Sequence, residues 1–272
     1  MNKHAILTIV YKDVKIIAQN KQSVLSMIIL PFIMLVIFPA LAILAPAAAR
    51  VLVPPLAGLE GLPQHLPATV QAELAGFNAK QRWDFLTLVY FLAPVYLVVP
   101  LTTASSIAAD SFVGEKERKT IEALLYTPTT DQEIFLAKLL SPWIIGMGLA
   151  LIGFLLYTVV ANVTAWPDMH RVFFPNLMWI ILVLWVAPAA AALGLSTMEL
   201  VSVRAKSVQE ASQLGSAIVI PLLLLMFVQA IGVVYLNLWL AFLLGLLLWI
   251  TDGALLWLGS RIFRRHAMMT RL

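Results

Sequence analysis

Six long apolar runs decide what this chain can fold into. They cover about residues 23–46, 85–109, 139–162, 175–199, 214–234 and 238–260. Each is long enough to cross the roughly 30 Å of bilayer hydrocarbon at about 1.5 Å per helical residue. No water is present there to serve backbone N–H and C=O groups, and only a helix pairs them all within one run. The expected fold is therefore an all-α integral membrane protein with six transmembrane helices in a single transmembrane domain, residues 1–272. Composition agrees, since 61% of the residues are hydrophobic and 12% charged, against about half and a quarter in a soluble domain. The APAAA that follows the first run resembles a signal-peptide cleavage site. That run is too long, and its polar lead of about 22 residues too extended, for a signal peptide.

Lys and Arg set the expected orientation. Lys3, Lys12, Lys15 and Lys21 precede the first run; Lys116, Arg118, Lys119 and Lys138 lie between the second and third. Arg204 and Lys206 lie between the fourth and fifth, and Arg261, Arg264, Arg265 and Arg271 follow the sixth. These are fourteen of the 18 basic residues. Arg50, Lys80, Arg82 and Arg171 fall on the other side. The positive-inside rule then puts both termini and the 110–138 loop in the cytoplasm of a multi-pass protein of the cell (inner or plasma) membrane. The net charge of +4 is mostly a topology signal, and no nucleic acid is needed to explain it.

Several chemistries are excluded. Without Cys there are no disulfides, thiol nucleophiles, Cys-ligated zinc or iron–sulfur clusters. His4, His65, His170 and His266 are scattered without metal-ligand spacing, so no metal site and no catalytic residue is expected. No GxxxxGK[ST] occurs, so the chain has no Walker-type phosphate cradle. No internal repeat relates the two halves.

Outside the spans, residues 1–22 hold Ile6, Ile9, Val10, Val14 and Ile17 at helical spacing with Lys12 and Lys15 between them. This pattern predicts an amphipathic helix in the inner interface; a plain basic tail is the alternative. Residues 47–84 form a long external loop, with Val70, Leu74 and Phe77 predicting a short surface helix.

The 110–138 loop is far longer than the roughly 2–8 residues that join packed helices. Glu115 and Glu117 suit the positive end of a helix dipole, and Glu115–Lys119 and Arg118–Glu122 are i,i+4 pairs. Ile121, Leu124 and Leu125 form one apolar face, Pro128 stops the helix, and Thr130 with Glu133 reads as a capping box for the next. Between Asp110 and Glu133 stand six acids and three bases. An anionic inner leaflet attracts basic segments, so docking on a partner fits this loop better than rest on lipid headgroups.

The stretch AADSFVGEKERKTIEALLYTPTTDQEIFLAK resembles the cytoplasmic loop of the permease subunits of type-2 ATP-binding-cassette transporters, with their type V exporter-like fold. Gly114, Glu115, Glu117, Thr120, Glu122, Leu124, Leu125, Thr127 and Pro128 match its Gly-Glu-x-Glu and Thr-(Ile/Leu)-Glu-x-Leu-Leu-x-(Thr/Ser)-Pro pattern. RAKSVQEASQLGS (204–216) and the ending RIFRR extend the likeness. The resemblance implies an interfacial N-terminal helix, six spans and a short coupling helix between spans two and three, on which an ATPase subunit docks. Gly114, Glu115, Glu117, Arg118, Thr120, Glu122, Leu124, Leu125, Thr127 and Pro128 are the expected coupling residues, with Arg204, Lys206 and Glu210 as a second cytoplasmic contact. It also implies two ATPases and two permeases, identical or not, with ATP and Mg held by the ATPases and no cofactor in this chain. An exporter is the expected activity, with the substrate open.

Within the spans, Asp252 is the one acid at depth, where a carboxylate costs a few kcal/mol unless paired, protonated or wet. It is read as part of a transport path or ion site, or as a hydrogen-bonded structural acid. Glu199 is expected at a hydrated inner mouth. Thr102, Thr103, Ser105 and Ser106 could line the path or bond back to their own helix. Pro94, Pro100, Pro188 and Pro221 are expected to kink spans. Gly146, Gly148, Gly153 and Ala189–Ala192 are expected to permit close packing, and the Met and Trp residues to face lipid or interfaces. Two other functions compete with this one. A secondary transporter or assembly subunit leaves the charged loop without a role. An intramembrane lipid-modifying enzyme rests only on Asp252, Gly253 and Ala254, and the downstream metal-binding acids are missing.

Overall fold

The computed structural model describes residues 3–19, 21–54, 56, 66–114, 117, 130–231 and 234–262. Among them six helices are long and apolar enough to cross a membrane: Met27–Leu44, Ala79–Gly114, Leu136–Met169, Leu177–Ser202, Val208–Ala230 and Leu238–Gly259. No strand occurs among the described residues. The second span is the axis of the bundle: 94% of its most apolar window is buried, against 17% in the fifth and sixth spans. Leu151, Leu155, Val159 and Val163 of the third span and Leu243, Leu247 and Ile250 of the sixth are exposed. Such faces need an apolar solvent, and the protein is a multi-pass membrane protein.

Three spans change helix type where proline dictates it. Proline has no N–H and its ring clashes with the carbonyl four residues earlier. For Pro39, Pro94 and Pro188 that carbonyl belongs to Leu35, Tyr90 and Leu184. Each lies in a π-helical segment, Ile33–Ile37, Leu86–Phe91 and Leu182–Val186 respectively, which widens the helix just before the proline. Pro221 follows a 3-10 turn, Ala217–Val219, and Pro100 lies inside Ala93–Ala109.

Widened turns loosen carbonyls that hydrocarbon cannot serve, and buried aromatic donors serve them. The Tyr157 hydroxyl donates to the Leu88 carbonyl at 2.5 Å and the Trp179 indole to that of Val89 at 2.8 Å. Both side chains are fully buried and stacked, 5.0 Å between ring centroids. Trp83 donates to Ala42, Trp143 to Pro188 and Trp185 to Phe242. These tryptophans fasten one span to another, which corrects the expectation that tryptophan here faces lipid or interfaces. Replacing Trp179 by Phe leaves the Val89 carbonyl without this donor, at about 1–3 kcal/mol. The thermal midpoint in detergent is expected to fall, whereas Phe at Trp166, half exposed, leaves it unchanged. Equal midpoints for the two variants would remove this role from Trp179.

Small residues set the closest approaches. A Cβ at Gly146 would meet Ala104 and the Pro100 carbonyl at 3.2–3.3 Å, and one at Gly153 would press on Leu35. Ala189–Ala192 are buried. Gly148 has nothing within 4 Å, so its expected packing role is not found.

The described parts of the basic segments gather at one end of the bundle. The N-terminal helix, Lys3–Gln19, lays Ile6 and Val10 against Ala137 at the start of the third span's helix. The Ser141 hydroxyl donates to its Asp13 at 3.3 Å. At the far end, the loop helix Ala68–Glu73 exists as expected, but Val70 and Leu74 are buried in the main core. The third span belongs to one 39-residue helix, Asp131–Met169, about 58 Å long. It ends at His170, whose φ of 49° is the left-handed close of a helix.

Candidate functional site

The root of the 110–138 loop is built from residues that five spans and the loop after the fourth bring together. Asp110–Gly114 forms the last, π-helical turn of the second span's helix. Its Phe112 and Val113 pack with Leu195 and Met198 of the fourth span and with Ala205 and Ala211 beyond it. Leu139 and Trp143 of the third span and Leu256 of the sixth close this small core. Gly114 is buried, so it anchors the loop.

At the other root, Thr130 and Glu133 form the capping box read from the sequence. The Glu133 carboxylate accepts the Thr130 N–H at 3.0 Å, and the Thr130 hydroxyl accepts the Glu133 N–H at 3.4 Å. One turn on, Lys138 is 1% exposed. Its ammonium donates to the Ser111 carbonyl at 2.8 Å and lies 5.6 Å from the Phe112 ring centroid. The two roots are thereby clasped. Sequence reasoning counted Lys138 only as a topology charge.

Glu117, which is exposed, accepts the Val208 N–H at 3.1 Å. Val208 opens the helix Val208–Ser216, whose Ser207 accepts the Glu210 N–H at 3.2 Å while Glu210 accepts the Lys206 N–H at 2.8 Å. This helix end therefore holds two carboxylates at the positive pole of its dipole, one of them from the other loop. The fifth-span helix starts earlier than the apolar run at 214, and the Ser-x-x-Glu of 207–210 was the signal for it. Arg204, Lys206 and Glu210 are exposed. Glu115, Arg118, Thr120, Glu122, Leu124, Leu125, Thr127 and Pro128 lie outside the described residues.

Beside this root is a cleft of about 340 Å³. Thr102, Thr103, Ser106 and Asp110 of the second span line one wall, with Ile17 and Pro31 among the residues facing them. Thr102 also bonds back to its own helix, donating to the Val98 carbonyl at 2.7 Å. Ser105 is buried and turned toward Gly215. Asp252 does not line the cleft. It lies between the fourth and sixth spans, 1% exposed, where its Oδ1 accepts the Ser196 hydroxyl at 3.1 Å. Glu199 is not at a hydrated mouth as expected: it is 3% exposed, because the sixth helix continues to Ile262 and covers it at Gly259.

Six apolar helices, a long third helix entering from an acidic loop, and a second capped loop bonded to the first at Glu117 define a multi-pass membrane protein. The profile of the ABC-2 family transporter proteins matches residues 7–263. The chain belongs to that family. It is 28% identical over 156 residues to the ABC transporter permease protein NatB of Bacillus subtilis (strain 168), an alignment covering 56% of this chain and 40% of that relative. No solved structure matches it.

Proposed function

We propose that this chain is the membrane-spanning permease subunit of an ATP-binding-cassette exporter, driven by ATP that a separate ATPase subunit hydrolyses. The ATPase docks on the 110–138 loop through Glu115, Glu117, Arg118, Thr120, Glu122, Leu124, Leu125, Thr127 and Pro128, rooted at Gly114. Arg204, Lys206 and Glu210 form the adjoining second contact. ATP and Mg belong to the partner. Two ATPases and a second permease complete the transporter, with both termini of this chain in the cytoplasm. Thr102, Thr103 and Ser106, which line the cleft beside the loop root, form the proposed transport path on the second span; the buried Ser105 and Asp252 lie off that wall.

The observation that carries this reading is the bond from Val208 N–H to Glu117. It joins Glu117 to the start of the Val208–Ser216 helix, and the root at Phe112 and Val113 packs on the other spans, which supports a route for force from this end into the bundle. Family membership supports a permease role.

The test is co-purification of a candidate ATP-binding-cassette ATPase with this chain, followed by ATP-hydrolysis assays in lipid. Stable co-purification and ATP hydrolysis stimulated by the permease are expected. An ATPase that neither binds the chain nor responds to it would sink the reading.

A further inference from the structure

The fourth span carries one charged residue, Glu199, and the sixth carries one within Leu238–Gly259, Asp252. Both point into the seam between these two spans. Asp252 Oδ2 and both oxygens of Glu199 are buried with no hydrogen-bond partner. Gly259 leaves the room for the Glu199 carboxylate, since a Cβ there would collide with it. Neither acid has a basic hydrogen-bond partner among the described side chains: Ser196 bonds Asp252 Oδ1, and the Glu199 oxygens have none. Among the described ionisable side chains on the packed elements, Lys138 bonds Ser111, Glu133 and Glu210 sit in their caps, and Asp110 lines the cleft.

Spacing decides what cation such a seam can take. Ser196, which bonds Asp252, and Glu199 are three residues apart on one helix face. Asp252 and Gly259, which touches Glu199, are seven apart on the other helix, about 10 Å along its axis. The carboxylates are too far apart to clamp one ion. Each alone offers its two oxygens, plus one hydroxyl at Asp252, far short of the roughly six oxygens that a hard metal ion takes. A proton needs only one oxygen. An ionised carboxylate here has no compensating charge, so the acid form fits the closed seam and the ionised form favours opening it to water.

We propose that Glu199 and Asp252 are two separate proton-binding stations on the seam between the fourth and sixth spans, Glu199 near the loop end and Asp252 deeper. Proton occupancy keeps that seam shut. The inference goes beyond ATP-driven transport and concerns this chain alone, so it stands or falls separately from ATPase coupling.

The test uses the full-length chain in lipid nanodiscs and dicyclohexylcarbodiimide, an apolar reagent that modifies carboxylic acids in their protonated form, with peptide mapping by mass spectrometry. Adducts are expected at both Asp252 and Glu199, falling at least about tenfold as pH rises from about 5 to about 9, the range between ordinary carboxylates and ordinary lysines. Sodium, potassium and magnesium at fixed pH leave them unchanged. Asp252→Asn abolishes its own adduct and leaves the Glu199 adduct and its pH profile in place. Labelling independent of pH would make these structural acids that never exchange. Protection by a metal ion would make the seam a metal site. Either outcome overturns the proposal, and both are read on the unmutated chain.

Discussion

Glu117→Lys is expected to reduce permease-stimulated ATP hydrolysis by roughly tenfold to a hundredfold, a coupling loss of about 1–3 kcal/mol. Two effects add. The reversed charge removes an acid from the docking surface. It also replaces the acceptor of the Val208 N–H with a cation at the positive end of a helix dipole. Glu117→Gln separates them, because the amide oxygen still accepts the bond while the charge is gone. A glutamine variant that behaves like the parent assigns the loss to the bridge between the loops. One that fails like lysine assigns it to charge on the partner. Full stimulation in the lysine variant, with the chain correctly inserted, would remove Glu117 from the coupling machinery.

Gly194→Ala is the substitution expected to harm folding most. A Cβ at Gly194 would overlap the Leu101 carbonyl and crowd the Ser105 N–H, and backbone atoms cannot rotate aside. The second and fourth spans must therefore part along the best-buried seam of the bundle, at about 1–3 kcal/mol for overpacking. The matched control is Gly148→Ala, where nothing lies within 4 Å. There the gain in helix propensity, about 1 kcal/mol, leaves stability equal or higher. Thermal unfolding in detergent and the yield of inserted protein compare the two. An alanine tolerated at Gly194 as well as at Gly148 would contradict the close approach.

Features that depend on chain-local chemistry were legible in the sequence. Hydrocarbon thickness makes spans visible as run lengths, and the Thr130–Glu133 box is visible because its partners are three residues apart. Seams were not legible. Glu199 sits near the end of its apolar run, and its burial depends on a helix some 60 residues later that happens to carry Gly259 there. Trp179 belongs to an apolar window whatever it touches; its bond to Val89 exists because Pro94 forces a π turn on another span. Of the candidate site, the sequence placed the loop and its likeness to a family. It missed the clasp by Lys138, because a lysine that marks topology and one that caps a carbonyl look the same. Gly148 shows the converse error, where a small residue was read as a contact and faces open space.

The helix Asp131–Met169 meets the second span's helix at both extremes. At the loop end Lys138 holds Ser111. At the far end Asp168 pairs with Lys80 at 2.8 Å and its carbonyl accepts from Gln81 at 2.8 Å. Between them, Tyr96 reaches Ala150 and Tyr157 reaches Leu88. A beam bolted to its neighbour at each end and twice along its length cannot pivot against it. Spans two and three are therefore held in fixed register from the loop end of the bundle to its far end, and a slide of one along the other would break all four links at once.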